Sequence, residues 1–573
     1  MANTSEIIGQ ILYNAGCRSA FGIPGGEILF LMDGLKNSGI EFVLAKHENC
    51  AGFMAEGSYH ADGAPGILIA TLGPGVTNAV NVITNAFQDR IPLIFLTGCV
   101  DDDLAIKYTH QIFDHKELLK SITKCSFKIV DGEVDTILNK AISIMNEGQP
   151  GPVHIDIPIG LSAIKQPNRL ISSNTSSSTA PAGGDDLEKA RKWFLESEKP
   201  LVIAGFDVLN DCSEKEVAEF VRKFKVPLIT TYKAKGILPE DNKLALGGAG
   251  LSPLADEQLL SLVKDSDLKI LAGYDPIEMR SGWINPWDKC DRVIEFSSVG
   301  NSHFMHQSSL SFTCNVGEGL KSLKEGFSPK KIWIKDEPKN TRLKLKSIFS
   351  VDEFWGPAAV IDVVRKFLPR DGVATVDSGA HRILLNHIWE CYAPRSLLQS
   401  TGLCTMGCAL PLAIGFKFKE LQRPVVSFVG DAGMEMVLGE LATLRDLKLP
   451  IVIIVFVDQS LALIELKQRR NKLSNQGVDF GTRGAGNMRG LNPFSPNNMA
   501  QRYGANTNLN YALGVEAYDV LMAPFQGSFF AHFRNRFIDP FPPVFSFPSG
   551  LVFPYPFGPI FPMPFGIAVL LPP

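Results

Sequence analysis

Two aspartates follow two of the most apolar stretches of the sequence and are the first candidates for chemistry. Asp431 ends "RPVVSFVGD" (423 to 431), and Asp458 ends "LPIVIIVFVD" (449 to 458). If these stretches form neighbouring parallel strands, both carboxylates lie at the same edge of the sheet. A hard divalent cation such as magnesium prefers oxygen ligands of this kind. The alternative is a pair of solvated acids at strand ends, which need no ligand.

Three other stretches contain residues of chemical interest, but each has an ordinary structural explanation. Glu48 lies between the apolar "EFVLA" and a helix of small residues, where the helix dipole favours an acid in any case. The glycine turn in "TLGPGVTN" (71 to 78) opens a helix whose free amides favour an anion or a neighbouring chain. Met406, in "GLCTMGCALPLAIG" (402 to 415), is as typical of core packing as of cofactor support.

The elements that position these residues form three alternating α/β blocks. Short apolar runs alternate with helical stretches, which is typical of parallel sheets covered by helices on both faces. "QPNRLISSNTSSSTAPAGG" (166 to 184) is rich in Ser, Thr, Pro and Gly, so it predicts a linker. We therefore predict an α/β protein with three doubly wound parallel-sheet domains, at residues 1–165, 185–330 and 350–515.

The last part of the chain, residues 524–573, differs from these blocks. It contains 12 Pro and 12 Phe, in phrases such as "FPYPFGPIFPMPFG". Frequent proline removes the backbone donors that helices and strands need. We therefore predict an irregular Phe/Pro-rich tail with no strand through it.

Composition argues against several classes of protein. The net charge is −4, the pI is about 6.2, and the basic residues are dispersed, which does not favour nucleic acid or an anionic membrane as a partner. The start "MANTSEIIGQILYNAG" does not have the pattern of a signal peptide. No uninterrupted apolar run approaches the roughly 18 residues of a membrane span. We expect a cytoplasmic protein without nucleic-acid or membrane partners.

The stretches occur together in an order that resembles the thiamine-diphosphate enzymes of the acetolactate synthase, pyruvate oxidase and benzoylformate decarboxylase class. The resemblance covers roughly residues 3 to 480. Besides the stretches around Met406 and Asp431, it rests on "FGIPGGE" (21 to 27), "HEN" (47 to 49), "LGPGVTN" (72 to 78), "YTHQ" (108 to 111), "ITKCSF" (122 to 127), "GPVHIDIP" (151 to 158), "TTYKAKGILPED" (230 to 241) and "AGYDPIEMR" (272 to 280). It implies a pyrimidine-binding, a central and a diphosphate-binding domain, with thiamine diphosphate and Mg²⁺ as cofactors.

The resemblance also implies roles for individual residues. Glu48 is expected to hydrogen-bond the pyrimidine ring of the cofactor, where a shared proton turns the neighbouring amine into a base. Met406 is expected to support the bent cofactor, and the Cys404 carbonyl to accept from that amine. Gln111 is expected in the substrate region. The implied cofactor-binding residues are Pro24, Gly25, Glu48, Asn78, Ala380, His381, Cys404, Met406, Gly430, Asp431, Ala432 and Gly433, and the implied metal ligands are Asp431, Asp458 and the carbonyl of Ser460.

Three histidines are candidates for proton transfer in the same region. His110, His115 and His381 are suited to carry a proton near neutral pH, although a purely structural histidine explains each equally well.

The resemblance implies that a 2-oxo acid loses carbon dioxide, and that the remaining fragment joins a second carbonyl compound or is protonated. Carboligation, as in acetolactate synthase, is the first hypothesis, and simple decarboxylation is the second. FAD is not expected, because "AGYDPIEM" is similar to the flavin-free catabolic acetolactate synthases. A homodimer or homotetramer is implied, with Glu48 of one chain and Asp431 of the other in each active site.

Three departures from the family pattern bear on activity. The usual Gly-Asp-Gly appears as Gly430, Asp431 and Ala432, and the usual Asn-Asn pair appears as Val457 and Asp458. Alanine is tolerated where φ is negative, and Asp458 keeps an oxygen ligand, so we expect the metal site to survive. After residue 481 the family ending is not found. The third hypothesis is therefore a noncatalytic protein whose third domain is incomplete.

Overall fold

Three α/β domains follow one another along the chain, each built on a six-stranded sheet. The computed structural model describes residues 2–167, 178–351, 356–458 and 460–479, and the backbone of 561–562 and 567–570. The predicted fold class of three doubly wound domains is confirmed.

The first domain has an entirely parallel sheet. Its strands are β1 (Ser19–Ile23), β2 (Glu41–Leu44), β3 (Gly66–Ala70), β4 (Leu93–Cys99), β5 (Cys125–Lys128) and β6 (Val153–Pro158). Its helices are α1 (Thr4–Asn14), α2 (Leu29–Asn37), α3 (Glu48–Asp62), α4 (Pro74–Gln88), α5 (Asp102–Ala105), α6 (His115–Leu119), α7 (Val134–Asn146) and α8 (Ile159–Ser162). The strand order is β2-β1-β3-β4-β6-β5.

The second domain repeats this arrangement. Its strands are β7 (Pro200–Ala204), β8 (Leu228–Thr231), β9 (Ala245–Ala249), β10 (Leu268–Ala272), β11 (Val293–Ser297) and β12 (Leu310–Thr313). Its helices are α9 (Asp185–Glu196), α10 (Asp207–Asn210), α11 (Glu214–Phe224), α12 (Pro253–Asp265), α13 (Val316–Lys324) and α14 (Glu337–Ile348). All strands are parallel, in the order β12-β11-β10-β7-β8-β9.

The third domain has a mixed sheet, in which one of the six strands runs opposite to the others. Its strands are β13 (Val373–Val376), β14 (Leu397–Leu398), β15 (Val425–Gly430), β16 (Val452–Phe456), β17 (Phe561–Pro562) and β18 (Ile567–Leu570). Its helices are α15 (Pro357–Phe367), α16 (Ala380–Ile388), α17 (Ala409–Lys419), α18 (Asp431–Met436), α19 (Glu440–Asp446) and α20 (Ala462–Arg470). In the order β14-β13-β15-β16-β18-β17, β18 runs antiparallel to both of its neighbours.

The last two strands correct one prediction. They lie in the Phe/Pro-rich tail, so the expectation that no strand runs through residues 524–573 is wrong for β17 and β18. β18 occupies the proline-free stretch "IAVL". Pro562 lies in β17, an edge strand, where proline is tolerated. The rest of the tail, and the predicted loss of the family ending after residue 481, lie outside the described residues.

The strands form where the sequence has short continuous apolar runs. In β3, β7, β10, β11 and β13 every residue is buried, because helices cover both faces of each sheet. Proline is found in the first turn of α4, α12 and α15, where its missing N–H has no partner within the helix. Nowhere in the described ranges is a helix both long enough and apolar enough to cross a membrane.

Helices α3 and α17 join the first domain to the third. Phe53 and Met54 of α3 lie in the same buried core as Leu412 of α17. The two backbones touch, because a Cβ added to Gly57 would lie 2.2 Å from the Leu412 carbonyl oxygen. One added to Gly415 would lie 1.9 Å from the Met54 carbonyl oxygen. Only glycine permits so close a crossing.

We predict that Gly415→Ala destabilises the protein, although alanine favours an isolated helix by about 1 kcal/mol. The added methyl group meets backbone atoms that cannot move aside, and such overpacking costs about 1–3 kcal/mol. Urea unfolding measures this loss in the free energy of unfolding. Gly300→Ala is the control, since its Cβ would meet no atom within 4 Å. An equal or higher stability of Gly415→Ala would show that the helices can separate without cost.

Candidate functional site

Glu48 lies at the carboxyl edge of the first sheet. It is the first residue of α3, which follows β2, and only 6 % of it is exposed. Its Oε2 accepts a hydrogen bond from the Asn78 side chain in α4, at 3.0 Å. A Cβ on Gly75 would lie 3.5 Å from its Oε1. One carboxylate oxygen is therefore fixed by an amide, while the other faces a glycine.

The remaining predicted residues of the first domain lie at the same edge. Pro24 and Gly25 follow β1 directly, and a Cβ on Gly25 would lie 2.3 Å from the Thr71 hydroxyl oxygen, after β3. Gln111 is exposed and has a left-handed backbone, with φ of 60°. Its backbone packs on the turn at Gly73, where a Cβ would lie 2.8 Å from the Gln111 carbonyl oxygen. Gln111 thus lies beside the glycine turn that opens α4.

The predicted residues of the third domain surround one cavity of about 460 Å³. Its lining residues come from five loops or helix starts at one edge of the third sheet. They are Pro357, Ser378, Gly379, Ala380, His381, Leu384, Cys404, Met406, Gly430, Asp431, Ala432, Gly433, Phe456, Val457, Asp458, Ser460, Leu461, Ala462, Leu463 and Ile464. The structure thus brings together the residues from Ala380 to Ser460 that the sequence identified separately.

Asp431 and Asp458 share this cavity because β15 and β16 are parallel neighbours, as the sequence predicted. Asp431 is the buried first residue of α18, and its Oδ1 accepts from the Ala432 amide at 2.9 Å. The Oδ1 of Asp458 accepts from the Ser460 amide at 3.2 Å. Ala432 lies within α18 and is not among the residues with positive φ, so the alanine is tolerated. Oxygen donors suited to a hard cation therefore line one wall.

His381 provides a polar atom without a protein partner in the same cavity. Its Nε2 is buried and has no hydrogen bond within the described part of the chain. Burial, followed by the positive charge of Arg382, lowers the pKa of His381 to about 4, so the imidazole is neutral at pH 7. It lies in the first turn of α16, where free backbone amides favour an anion. A phosphate group fits both features.

Cys404 and Met406 lie on a loop between β14 and α17 with an unusual backbone. Cys404 has φ of 57°, a conformation that costs a side-chain-bearing residue of order 1 kcal/mol or more. Arg382, which is buried, donates to the Ser400 carbonyl and to the Cys404 Sγ, the latter at 3.2 Å. The Cys404 thiol in turn donates to the Thr401 carbonyl at 3.0 Å. These bonds hold the strained loop in place.

Helix α4 of the first domain anchors this loop from the other side. The Ser400 hydroxyl donates to Asn85 Oδ1 at 2.6 Å. Asp89, fully buried, accepts from the amides of Thr401 at 3.2 Å and Gly402 at 2.8 Å. One helix therefore holds Glu48 near its start, through Asn78, and the Met406 loop near its end.

Lys233 connects the second domain to this contact between α4 and the Met406 loop. Its Nζ donates to Asp89 Oδ2 at 2.7 Å and lies 3.9 Å from Glu56 Oε1, and its side chain is 8 % exposed. Burial lowers the pKa of Lys233, but Asp89 and Glu56 outweigh burial and hold the pKa above its usual value. Burial raises the pKa of Glu56 to about 8, against the opposing charge of Lys233. The backbone amide of Lys233 donates to Glu278 at 3.0 Å.

Asp377 is a further residue behind the cavity that the sequence reasoning missed. It is buried and accepts from the amides of Gly407 at 2.8 Å and Cys408 at 3.0 Å, which fixes the chain directly after Met406. Burial raises the pKa of Asp377. A Cβ on Gly433 would lie 1.9 Å from its Oδ2. The sequence contains a pattern that could have identified it, because Asp377 follows an apolar strand in "GVATVDSG" just as Asp431 follows β15.

The other two candidate histidines lie in the first domain. His110 is exposed, and its ring lies 6.2 Å from the Tyr108 ring. His115 is buried, and its Nδ1 lies 2.8 Å from Asp156 Oδ1. His115 lines a second cavity, next to Gln111, whose volume is also about 460 Å³.

The two groups of predicted residues do not line the same cavity within one chain. The first cavity is lined by residues 357–464 of the third domain. Pro24, Gly25, Glu48, Asn78 and Gln111 are all in the first domain and outside that lining. A single chain therefore presents the two groups as separate partial sites.

Sequence models of three thiamine pyrophosphate enzyme domains match the chain. The N-terminal TPP binding domain matches residues 2–118, the central domain matches 187–323, and the C-terminal TPP binding domain matches 377–523. The third match continues beyond residue 480, where we expected the resemblance to stop.

Individual relatives are similar over most of the chain. A probable acetolactate synthase large subunit of Methanocaldococcus jannaschii is 29% identical over 482 residues, which cover 80% of this chain and 81% of the relative. The acetolactate synthase large subunit of Lactococcus lactis is 28% identical over 478 residues, with 80% and 81% covered. The acetolactate synthase of Bacillus subtilis is 27% identical over 490 residues, with 83% and 85% covered.

We predict that Lys233→Met destabilises the protein and loosens the Met406 loop. Removing one partner of a buried ion pair leaves the other unpaired, which costs about 3–5 kcal/mol. Chemical unfolding measures the stability, and hydrogen exchange followed by mass spectrometry should show faster uptake in peptides spanning residues 400–406. The control is Lys243→Met, the same substitution at an exposed lysine of the same domain. If both variants behave alike, the contact between α4 and the Met406 loop does not depend on the charge of Lys233.

Proposed function

The chain belongs to the thiamine pyrophosphate enzymes that act on 2-oxo acids, and we propose that it decarboxylates a 2-oxo acid and joins the remaining fragment to a second carbonyl compound. The observation that carries this proposal is the cavity in which Asp431, Asp458, His381 and Met406 meet. Relatives named acetolactate synthase support carboligation over simple decarboxylation.

The residues around the cavity fit a diphosphate. His381 offers a neutral imidazole whose Nε2 has no other partner among the described residues. Gly430 lies against the His381 ring, where a Cβ would lie 3.4 Å from it, and Gly433 lies against Asp377, where a Cβ would lie 1.9 Å from the Oδ2. Ala380 lies at the start of α16, whose first backbone amides favour an anion, and Ala432 lines the cavity in the first turn of α18. These residues would hold the diphosphate of thiamine diphosphate.

The oxygen donors of the same cavity fit Mg²⁺. We assign the two carboxylates of Asp431 and Asp458 and the carbonyl of Ser460 as its protein ligands. Magnesium commonly combines one or two carboxylates with phosphate oxygens, which leaves positions for the diphosphate. The negative charge of Asp458, in place of a neutral amide, strengthens the attraction to the cation.

Glu48 is assigned to proton transfer on the pyrimidine side of the cofactor. When bound, thiamine diphosphate supplies a nucleophilic carbon and a cationic ring that accepts the electron pair left by carbon dioxide. Asn78 holds one oxygen of Glu48, so the other is free to share a proton with the pyrimidine ring. Met406, Cys404 and their anchored loop support the cofactor, and Gln111 contacts the substrate. Pro24 and Gly25 shape the edge at which the pyrimidine ring lies.

The complete active site is proposed to form between two chains. Glu48 and Gln111 of one subunit would face Asp431 and Asp458 of its partner, which requires at least a homodimer. The lining of the cavity supports this arrangement, because it includes Asp431 and Asp458 but neither Glu48 nor Gln111 of the same chain. Exposed apolar side chains on both domains, such as Leu44 and Met436, are suited to burial between subunits.

The proposed activity is tested by incubating the protein with thiamine diphosphate, Mg²⁺ and pyruvate, without added FAD. We expect carbon dioxide and acetolactate, identified by chromatography, and no product when Mg²⁺ is removed by a chelator. Acetaldehyde without acetolactate would identify a simple decarboxylase. No carbon dioxide would favour the noncatalytic alternative and overturn the proposal.

The shared active site is tested by mixing two inactive variants. Glu48→Gln is expected to lower turnover by about 10²–10⁴-fold, and Asp431→Asn is expected to weaken cofactor binding. After unfolding and refolding together, half of the dimers are mixed, and each of these contains one site with both native residues. About a quarter of the wild-type activity should return. Mixtures that stay as inactive as the separate variants would show that each chain builds its own site.

A further inference from the structure

A chain of hydrogen bonds runs along the wall of the second cavity, in the first domain. Asp156 of β6 is its centre, and its Oδ1 lies 2.8 Å from His115 Nδ1 and 2.5 Å from the Thr97 hydroxyl of β4. The Thr97 hydroxyl lies 2.8 Å from His154 Nε2, and His154 Nδ1 lies 2.7 Å from the Ser126 hydroxyl. At the other end, the Gly73 amide donates to His115 Nε2 at 3.4 Å.

The partners fix the position of each proton in this chain. The Thr97 hydroxyl has one hydrogen, which it donates to Asp156, so His154 Nε2 must donate to Thr97. His154 Nδ1 then accepts from Ser126. His115 accepts from Gly73 through Nε2 and donates to Asp156 through Nδ1–H. Every ring nitrogen of the two imidazoles then has a hydrogen-bond partner.

Asp156 is the charged group that orients His115. Burial alone would raise the pKa of the Asp156 carboxyl, but the hydrogen bond from His115 and the nearby His154 ring, whose Nε2 lies 3.5 Å from Oδ1, outweigh burial and hold the pKa far below its usual range. The carboxylate is therefore ionised. An ionised acceptor makes the hydrogen bond to His115 strong and directional, which leaves Nε2 aimed at the Gly73 amide.

The same three side chains have the composition of a metal site, since ligand atoms of His115, His154 and Asp156 lie within 4.8 Å of one another. Their lone pairs are already used, however. His115 Nδ1 and Asp156 Oδ1 bond each other directly, and His154 bonds two hydroxyls. A metal ion would have to break all of these bonds, so the cluster is a hydrogen-bonded network rather than a metal centre.

At one end of the network, His115 Nε2 accepts a hydrogen bond from Gly73, which lies in a turn with an unfavourable backbone conformation. Gly73 has φ of 69° and ψ of −109°, a conformation that side-chain-bearing residues avoid, and it precedes α4 directly. Gln111, also left-handed, packs against it. Helix α4 then presents Asn78 to Glu48. The direction of the Gly73 amide therefore influences both Gln111 and the Asn78–Glu48 pair.

We propose that His115, oriented by Asp156, is a positioning residue that fixes the Gly73 turn and through it Gln111 and Glu48. The inference rests on the proposed function, in which Gln111 contacts the 2-oxo acid and Glu48 the cofactor. His115 does not touch either molecule. Its role is to fix the position of Gln111 relative to Glu48.

Three substitutions of His115 distinguish the loss of its hydrogen bond to Gly73 from the loss of its side-chain volume. In His115→Gln the terminal amide takes the place of Nε2, so its oxygen can accept from Gly73. In His115→Asn the shorter amide takes the place of Nδ1, which keeps the bond to Asp156 and loses Gly73. His115→Ala loses both. His303→Gln, at an exposed histidine of the second domain, is the matched control.

Thiamine diphosphate affinity is measured by calorimetry in the presence of Mg²⁺, together with kcat and KM for pyruvate and thermal unfolding. We expect His115→Asn and His115→Ala to lose about tenfold in cofactor affinity, the effect of one buried hydrogen bond. They should also show a higher KM. His115→Gln should recover most of the affinity, and His303→Gln should match the wild type.

Equal behaviour of the Gln and Asn variants would overturn the positioning role, and so would wild-type affinity in both. Circular dichroism verifies folding, and the Gln and Asn variants decide the question if His115→Ala does not fold. A wild-type chain that binds the cofactor but does not turn over pyruvate counts against the proposed function alone. One that does not bind the cofactor overturns both.

Discussion

The buried ion pair between Lys233 and Asp89 is the interaction on which the arrangement of the three domains depends. Either partner without the other would be a charged group removed from solvent, which is costly. Asp89 also accepts two backbone amides of the loop that leads to Met406. Asp89 therefore links the first domain to the second and also holds the loop whose residues Cys404 and Met406 line the cavity of the third domain. Such pairs contribute little net stability, and here the pair links the second domain to the end of α4, which in turn binds the Met406 loop.

Helix α4 makes contacts with both groups of site residues along its length. Its start is set by the Gly73 turn, its middle presents Asn78 to Glu48, and its end holds the Met406 loop through Asn85 and Asp89. A rigid helix transmits a shift at one end to the other. The close crossing of α3 and α17 adds a second, apolar tie between the same two domains. Within one chain, these contacts fix the first domain against the third.

Local sequence patterns predicted much of this molecule. Continuous apolar runs identified the strands, and the acids after β15 and β16 converged because parallel strands end at one edge. Lys233 and Asp89 could not be paired in this way, since 144 positions separate them and neither is part of a periodic pattern. The left-handed backbones of Gln111 and Cys404 were equally hidden, because they arise from packing against distant residues rather than from local preference. Proline frequency was misleading for β18, since four residues without proline suffice for a strand when a neighbour provides the ladder.

The antiparallel pairing of β18 with β16 has a consequence for how the protein is made. β16 supports Asp458, yet its neighbour on one side consists of residues 567–570. During synthesis, β16 leaves the ribosome well before β18. Until β18 has been made, the backbone edge of β16 that it will cover has no partner strand. Exposed strand edges are templates for association with other chains. The sheet of the third domain thus closes only after residues 567–570 have been made, and cleavage of the chain between β16 and β18 would leave the edge of β16 open.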